Sequence, residues 1–545
     1  MITNTCLAIL CAAAAMAQTN TGSISGAIVD GATGTPVANA TIYVDRNQKM
    51  GKQLTADSSG RYSVPDLTPG SHTVTAEAPS SPNAFPSYQR KLVTVASGQE
   101  IASVNFSLVI RGEISGRVVD QNKEPVAGAS IFLIAREYTL GTLRHVYAAI
   151  AVSDDQGEYL LRNVEPGRAF LLMVARRQTI LPAISDAPLD PKLRKQAFAA
   201  TYYPGTPSAA GAQPLILRAN ERREGVDLRV LRTASYCAGG VLAGPSGPAP
   251  LTFTLADREP GSGKSGDGAV YLSNPRGETG PDGKIRLCGL YPGEHELVAY
   301  NKDVKGAPQF YGSTIIVVGD RDVENVSLTM QPQVAVPGEV VWEIDDPNAP
   351  AATGNLSINL SPVTRSQWGG ESTDARTPVP GPFTFPHVLP DLHSIRLFGL
   401  PADAYVKEMT YAGHNVQHEA INPGIVMPGA SLRIVLARDG ATLSVKVADK
   451  DSNGIPDARV LVMPVSVASE AALAAQIVSG QCDQNGNWTS ARLAPGKYYV
   501  MAMQTPHDNS PESIAKIWSN RNHMKEVELM PNGKAQLKLT ILGTE

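Results

Sequence analysis

The sequence predicts an all-β protein built as a tandem array of about five antiparallel β-sandwiches. The first observation is a repeated signature, in which a glycine that closes a polar turn precedes a proline by nine residues. The glycines of this signature are Gly60, Gly157, Gly283, Gly381 and Gly486. The repeat length of about 100 residues is a common size for one domain, so each copy marks one unit of an array.

The second observation is a shared opening segment. "GSISGAIVD" at residues 22–30 and "GEISGRVVD" at 112–120 align position for position, and "ATLSVKVAD" at 441–449 is a looser relative. Each is followed by a turn with a proline and then by an apolar, β-branched segment. With a closing apolar segment, a unit has about six to seven short strands, which is typical of an antiparallel sandwich.

Residues 153–175, "SDDQGEYLLRNVEPGRAFLLMVA", show the centre of a unit. Asp and Gly residues favour turn geometry, and alternation at Tyr159 and Leu161 predicts a strand buried on one face. The Pro-Gly pair then reverses the chain into an apolar strand. We therefore predict a β-hairpin of about 20 residues, with the acidic turn as framework. A single stretch, 469–478, has helical spacing and lies in a connection.

The repeats and the N-terminal segment together predict the order of domains. The segment "CLAILCAAAAMA" is apolar and ends in Ala-Met-Ala before Gln18, which is typical of a secretory signal. No other segment approaches the roughly 20 apolar residues of a membrane helix, so we expect an exported chain without a membrane span, in the periplasm, on the outer surface or secreted. The predicted boundaries are a signal peptide at 1–17 and sandwiches at 18–109, 110–232 (with an insertion at 178–215), 233–332, 333–438 and 439–545.

Composition and motifs narrow the possible classes of function. Charged residues are 18% of the chain and the net charge is −4, without a Lys/Arg cluster beside aromatic residues, so we predict no nucleic-acid partner. The sequence shows no Ser-His-Asp set, Gly-x-Ser-x-Gly elbow or zinc-peptidase ligand set. We therefore predict a protein that is not an enzyme and needs no cofactor.

Three cysteines follow the predicted signal peptide. Cys237 lies in the first strand of the third unit and Cys288 in its predicted hairpin, so we expect both to face one core. Export would allow them to form a disulfide, worth about 4 kcal/mol in the chain-entropy model; the alternative is two buried free thiols. Cys482 has no partner in its unit and is predicted to be free.

One acidic segment raises the possibility of calcium binding. Asp449, Asp451, Asn453 and Asp457 have the spacing of a calcium loop, with Gly454 at the sixth position. The twelfth position is Val460, where such a loop carries a bidentate Glu. The same place in the first two units has no ligand set, so an ordinary turn is the preferred interpretation and calcium the alternative.

The opening segment followed by "D…GxY…PG" resembles the carboxypeptidase regulatory-like domain, most closely in the first two units. That resemblance implies an Ig/transthyretin-like sandwich, similar to the B-type repeats of bacterial surface adhesins and to carbohydrate-binding-like folds. It implies a fold more than an activity.

Three classes of function stay open. The leading hypothesis is a non-catalytic exported scaffold that presents loops to a cell-surface or extracellular protein. The alternative is an array of carbohydrate-binding modules for a polysaccharide, with Trp368 in the polar segment "RSQWGGEST" as a stacking platform. A hydrolase is the third class. The insertion 178–215 is a natural place for binding loops. The oligomeric state is left open.

Overall fold

The structure is a computed structural model that separates into two compact units, residues 1–110 and 111–545. The first unit contains one β-sandwich and the second contains four, numbered 1 to 5 in chain order. The structure describes residues 21–31, 33–46, 51–79, 88–109, 111–176, 181–182, 197–258, 269–270, 276–301, 310–344, 355–363, 372–425, 429–504 and 507–541.

The first two sandwiches share the order expected from the repeat. The strands of sandwich 1 are β1 Gly22–Asp30, β2 Thr41–Val44, β3 Lys52–Thr55, β4 Arg61–Leu67, β5 Gly70–Glu77, β6 Tyr88–Val95, β7 Glu100–Ile101 and β8 Phe106–Leu108. Those of sandwich 2 are β9 Gly112–Val119, β10 Ala129–Thr139, β11 Thr142–Val152, β12 Glu158–Val164, β13 Ala169–Arg176, β14 Leu181–Pro182, β15 Ala197–Ala199, β16 Thr201–Tyr202, β17 Leu215–Ile216, β18 Arg222–Arg223, β19 Leu228–Arg229 and β20 Leu231–Thr233.

The last three sandwiches follow, with two α-helices in the fifth. Sandwich 3 has β21 Tyr236–Gly244, β22 Gly247–Pro248, β23 Thr252–Arg258, β24 Ala269–Val270, β25 Arg276–Glu278, β26 Lys284–Leu290, β27 Gly293–Tyr300, β28 Phe310–Val318, β29 Val323–Thr329 and β30 Gln331–Pro332. Sandwich 4 has β31 Val334–Trp342, β32 Leu356–Pro362, β33 Thr373–Thr377, β34 Gly381–Val388, β35 His393–Phe398, β36 Tyr405–Tyr411, β37 His414–Asn415 and β38 Leu432–Ala437. Sandwich 5 has β39 Thr442–Val447, β40 Arg459–Pro464, α1 Glu470–Gln476, β41 Val478–Gln481, β42 Asn487–Thr489, β43 Gly496–Met503, α2 Pro511–Ser519, β44 Lys525–Leu529 and β45 Lys534–Leu539.

Each sandwich consists of two main sheets around its own hydrophobic core, which confirms the predicted all-β tandem array. In sandwich 5, for example, one sheet has the order β42-β39-β45 and the other β41-β40-β43-β44. Most pairs are antiparallel, but the opening strand of every sandwich pairs in parallel with a closing strand. These parallel pairs are β1 with β8, β9 with β19, β21 with β29, β31 with β38 and β39 with β45.

The prediction that the two strands around the Pro-Gly pair form a β-hairpin is wrong. Strands β12 and β13, on either side of that turn, belong to different sheets: β12 pairs with β9, and β13 pairs with β10. Asn163 has a φ of +61°, and the β12–β9 register shifts between Leu161 and Val164. The pairing resumes at Val164 with Gly112 just before the turn, and the chain then crosses to the opposite sheet instead of folding back on the same one.

The glycine of the signature is required by both conformation and space. Gly157 has a φ of +75°, and a Cβ there would lie 2.5 Å from the carbonyl oxygen of Val118. The second glycine of the opening segment is constrained by space alone, since a Cβ on Gly116 would lie 2.0 Å from the carbonyl oxygen of Val226. The same oxygen accepts a 2.6 Å hydrogen bond from the Tyr159 hydroxyl. Both glycines therefore allow close approaches between neighbouring strands.

The described part of the insertion 178–215 contributes to the sheets. Strands β16 and β17 pair with β13, and β14 pairs with β26 of sandwich 3. Phe198, Tyr202 and Leu215 are buried. These residues extend the framework of sandwich 2 and join it to sandwich 3.

Candidate interdomain interface

Two helices cover the outer face of one sheet of sandwich 5. We call α1 and α2 together the helical cap. The Ser469 hydroxyl accepts a 3.2 Å hydrogen bond from the Ala472 N–H at the start of α1, and Ser510 does the same for Ser513 at the start of α2. The helical spacing at 469–478 predicts α1. Residues 510–512, Ser-Pro-Glu, are a helix-start signal for α2 that sequence reasoning missed.

The cap packs on a methionine-rich surface. Its apolar side chains Leu473, Ile514 and Ile517 are buried against the outward-facing residues of β40 and β43. The cluster also contains Leu461, Met463, Met501, Met503 and Met524. Because methionine is unbranched and flexible, it fills irregular space between a sheet and helices well.

A long hairpin of sandwich 2 reaches this cap. Strands β10 and β11 pair up to Thr139 and Thr142, leaving Leu140 and Gly141 as a two-residue turn with φ of +48° and +75°. Near the tip, Tyr138 packs against the cap cluster, and its backbone N–H donates a 2.8 Å hydrogen bond to the carbonyl of Asn509. We call the contact of residues 136–141 and Arg168 with residues 508–512 and the cap the clasp.

Ion pairs surround the clasp. The Arg136 guanidinium lies 2.6 Å from a carboxylate oxygen of Glu512. Arg168, whose side chain is 14% exposed, places its Nε 3.6 Å from Asp508 and its Nη1 3.7 Å from Glu165, and it also donates to Glu137. The carboxylates around Arg168 thus come from both sandwiches, so its charge links them.

Sandwich 4 also contacts the cap. The His418 side chain hydrogen-bonds the backbone of Ala475 in α1, and burial lowers the pKa of His418 despite that bond. The connection between sandwiches 4 and 5 is held by a 3.0 Å hydrogen bond from the Tyr405 hydroxyl to Asp439. The Arg438 guanidinium stacks 4.1 Å from the centre of the Trp342 ring. The cap is therefore a hub that joins sandwiches 2, 4 and 5.

The calcium candidates form an aspartate-capped turn. One Asp449 oxygen accepts hydrogen bonds from the N–H groups of Asp451 (2.9 Å) and Asn453 (2.8 Å), and the other accepts from the Asn453 side chain. These bonds, with that side-chain bond first, lower the pKa of Asp449. Asp457 accepts instead from Gln481, and Val460 is buried in the core of sandwich 5. The candidates are thus divided between a turn and a side-chain contact.

The same turn recurs through the chain. In each copy one aspartate oxygen accepts the N–H groups two and four residues later. The capping residues besides Asp449 are Asp57, Asp120, Asp154 and Asp483. Across the described ranges, no three His, Cys, Asp or Glu side chains gather as a metal site. The acidic turns therefore fix backbone geometry.

The structure joins Cys237 and Cys288 by a disulfide between directly opposed positions of β21 and β26. Both cysteines are buried, with 2% and 6% of their surface exposed. Their neighbours Ala238 and Leu287 belong to the main core cluster of sandwich 3, so strand alternation buries both cysteines on the opposite side of that sheet. Cys482 lies in the core of sandwich 5, where burial raises the pKa of its thiol to about 12.

The remaining sequence candidates do not form a described site. Trp368 and the predicted signal peptide, 1–17, lie outside the described residues. The described tryptophans, Trp342, Trp488 and Trp518, are half-buried and pack against sandwich 4, sandwich 5 and the cap cluster, respectively. A search of the described residues finds no helix long and apolar enough to cross a membrane.

These features define a tandem β-sandwich protein whose last four sandwiches form one compact unit. Residues 23–109, which form most of sandwich 1, match the model of the carboxypeptidase regulatory-like domain.

Several other proteins are similar to the chain. Colossin-A of Dictyostelium discoideum is 23% identical over 86% of this chain, which spans about 4% of that relative's length. Among solved structures, the Bacillus anthracis TIE protein is 12% identical, with 79% of this chain and 73% of that chain covered and a TM-score of 0.16. The Streptococcal ancillary pilin is 10% identical, with coverages of 57% and 99% and a TM-score of 0.19.

Proposed function

We propose that this protein is an exported, non-catalytic scaffold that connects a series of folded β-sandwiches and presents their loops to a cell-surface or extracellular protein. The observation that carries the proposal is the helical cap. It joins three sandwiches through side-chain packing, hydrogen bonds and ion pairs, which set the relative positions of their loops while these contacts are made.

The use of polar residues in the framework supports this function. The calcium candidate Asp449 and the acidic-turn residue Asp154 both cap turns, and the arginines of the clasp link sandwiches. A protein that contacts large partners needs a rigid display of loops more than a catalytic pocket.

Export is tested first. Producing cells are fractionated, and the N-terminus of the recovered chain is sequenced, for the natural chain and for one that lacks residues 2–17. The proposal expects a chain beginning at Gln18 outside the cytoplasm, and retention of the shortened chain inside. Recovery of the unprocessed natural chain in the cytoplasm alone would contradict it.

Binding is tested second. The chain from Gln18 is screened against intact producing cells, cells stripped of surface protein by protease, and a panel of polysaccharides. Binding that disappears with protease treatment supports a protein partner. Saturable polysaccharide binding that is lost in Trp368→Ala but kept in Trp488→Ala would instead establish the carbohydrate-binding alternative.

A further inference from the structure

We propose that the clasp is a latch: sandwich 5 with its cap separates from sandwich 2 while both stay folded, and higher ionic strength favours the open form. This conformational device goes beyond the scaffold function and does not depend on export or on any partner. It would give the scaffold two arrangements of the same loops.

Each side of the clasp is complete without the other. The core of sandwich 2 and the core of sandwich 5 consist of residues from their own strands and connections. Within the described residues, Tyr138 is the side chain of sandwich 2 that packs against the cap cluster. Opening therefore withdraws one half-buried aromatic side chain and separates Arg168 from Asp508, and it leaves both cores intact.

The charges that pair across the clasp are at least one-third exposed, apart from Arg168, which is 14% exposed. The side chains of Arg136 and Glu512 are 34% and 51% exposed, and that of Asp508 is 39% exposed. Salt screens pairs of this kind, whereas the backbone ladders inside each sandwich do not depend on it. Salt should therefore loosen the clasp selectively.

Sandwiches 4 and 5 should move as a pair. Their connection is held by Tyr405 on Asp439 and by Arg438 on Trp342, and His418 contacts α1. The described connection between sandwiches 3 and 4 is short, since β30 ends at Pro332 and β31 begins at Val334. We place the hinge at this connection.

Hydrogen exchange on the full chain tests the latch. The informative amide is that of Tyr138, because it donates across the clasp to Asn509 and not to its own hairpin. Exchange is followed at about 0.05 M and about 1 M NaCl, which spans weak to strong screening. We expect exchange at Tyr138 to become about tenfold faster in high salt, while amides in β9 and β39 are unchanged.

Charge variants give the matched controls. Arg136→Glu should open the clasp at low salt, and adding Glu512→Arg should restore protection at Tyr138. Arg117→Glu breaks an ion pair with Glu158 inside sandwich 2 and should leave Tyr138 protected. The latch is overturned if neither salt nor Arg136→Glu changes the exchange rate of the Tyr138 amide. It is also overturned if this amide exchanges faster only together with the amides of β9 and β39, because that result would mean unfolding.

Discussion

The side chains of Arg136 and Glu512 are 376 positions apart in the sequence, yet they form a 2.6 Å ion pair. The pair lies where sandwich 2 meets the cap of sandwich 5, in the same contact as the half-buried Tyr138. A simple string of β-sandwiches would place contacts mainly between neighbours along the chain. Here the chain of the second unit folds back, and its last sandwich contacts its first.

The two glycines of the central signature give a matched pair. Gly157 and Gly167 both have positive φ, +75° and +78°, but a Cβ would collide with Val118 only at Gly157 and would meet nothing within 4 Å at Gly167. Gly157→Ala should cost about 3 kcal/mol of stability in sandwich 2, and Gly167→Ala about 1 kcal/mol. Urea unfolding followed by hydrogen exchange in β9 and β12 measures both. Equal costs would show that the close approach to Val118 is unimportant.

Acid should weaken sandwich 2 through Asp120. Burial alone would raise the pKa of this carboxyl, but hydrogen bonds from the Glu124 and Asn122 N–H groups and the Arg232 guanidinium leave the pKa below its usual value. A lowered folded pKa stabilises the fold fully above the unfolded pKa of about 4, and this stabilisation is lost as pH falls through the folded pKa.

The variant Asp120→Asn isolates this effect. It should lower the unfolding temperature of sandwich 2 at pH 7 and flatten its fall between about pH 5 and pH 3. Asp155→Asn, in a neighbouring exposed turn, should keep the pH dependence of the natural chain. An Asp120→Asn chain with an unchanged acid transition would refute the role of this carboxyl.

Removing the disulfide should destabilise sandwich 3. The bond closes a loop with a sequence separation of 51, so Cys237→Ala with Cys288→Ala should cost about 4 kcal/mol. Reduction of the natural chain should have the same effect, because Cys482 is buried in another sandwich. The free energy of unfolding of sandwich 3, measured with and without reductant, checks this. If reductant leaves the free energy of unfolding of sandwich 3 in the natural chain unchanged, the chain contains no such bond.

Calcium should not stabilise sandwich 5. Asp449→Ala removes the acceptor of three hydrogen bonds and should lower the unfolding temperature, with or without calcium. Asp451→Ala removes none of these acceptors and should have little effect. Differential scanning calorimetry with calcium and with chelator measures both. A rise in the unfolding temperature with calcium that is lost in Asp451→Ala would establish the metal site instead.

The parts of this fold that the sequence predicts correctly are those determined by local signals. Turns depend on the conformational limits of Gly, Pro and Asp, so Gly157 and the Pro-Gly pair mark element boundaries correctly. Strand pairing depends on residues far apart, and the predicted hairpin fails because β12 finds β9 rather than β13. The parallel pairing of opening and closing strands is missed for the same reason.

The candidate site was harder to predict. Ser510 and Pro511 signal the start of α2, but no local pattern shows which surface that helix covers. Nothing near Tyr138 or Arg168 in the sequence distinguishes them from other hairpin residues. Their role depends on where sandwich 5 comes to lie, which is a property of the folded second unit.

Zero-length cross-linking is a sharp test of the docking of sandwich 5 on sandwich 2. Arg136→Lys keeps the positive charge and provides an amine that carbodiimide can couple to Glu512, and the existing pair of Lys407 with Glu343 within sandwich 4 serves as internal control. We predict, by mass spectrometry of the monomer, a linked peptide pair that contains positions 136 and 512. Coupling of Lys407 to Glu343 without any link between 136 and 512 would contradict the account.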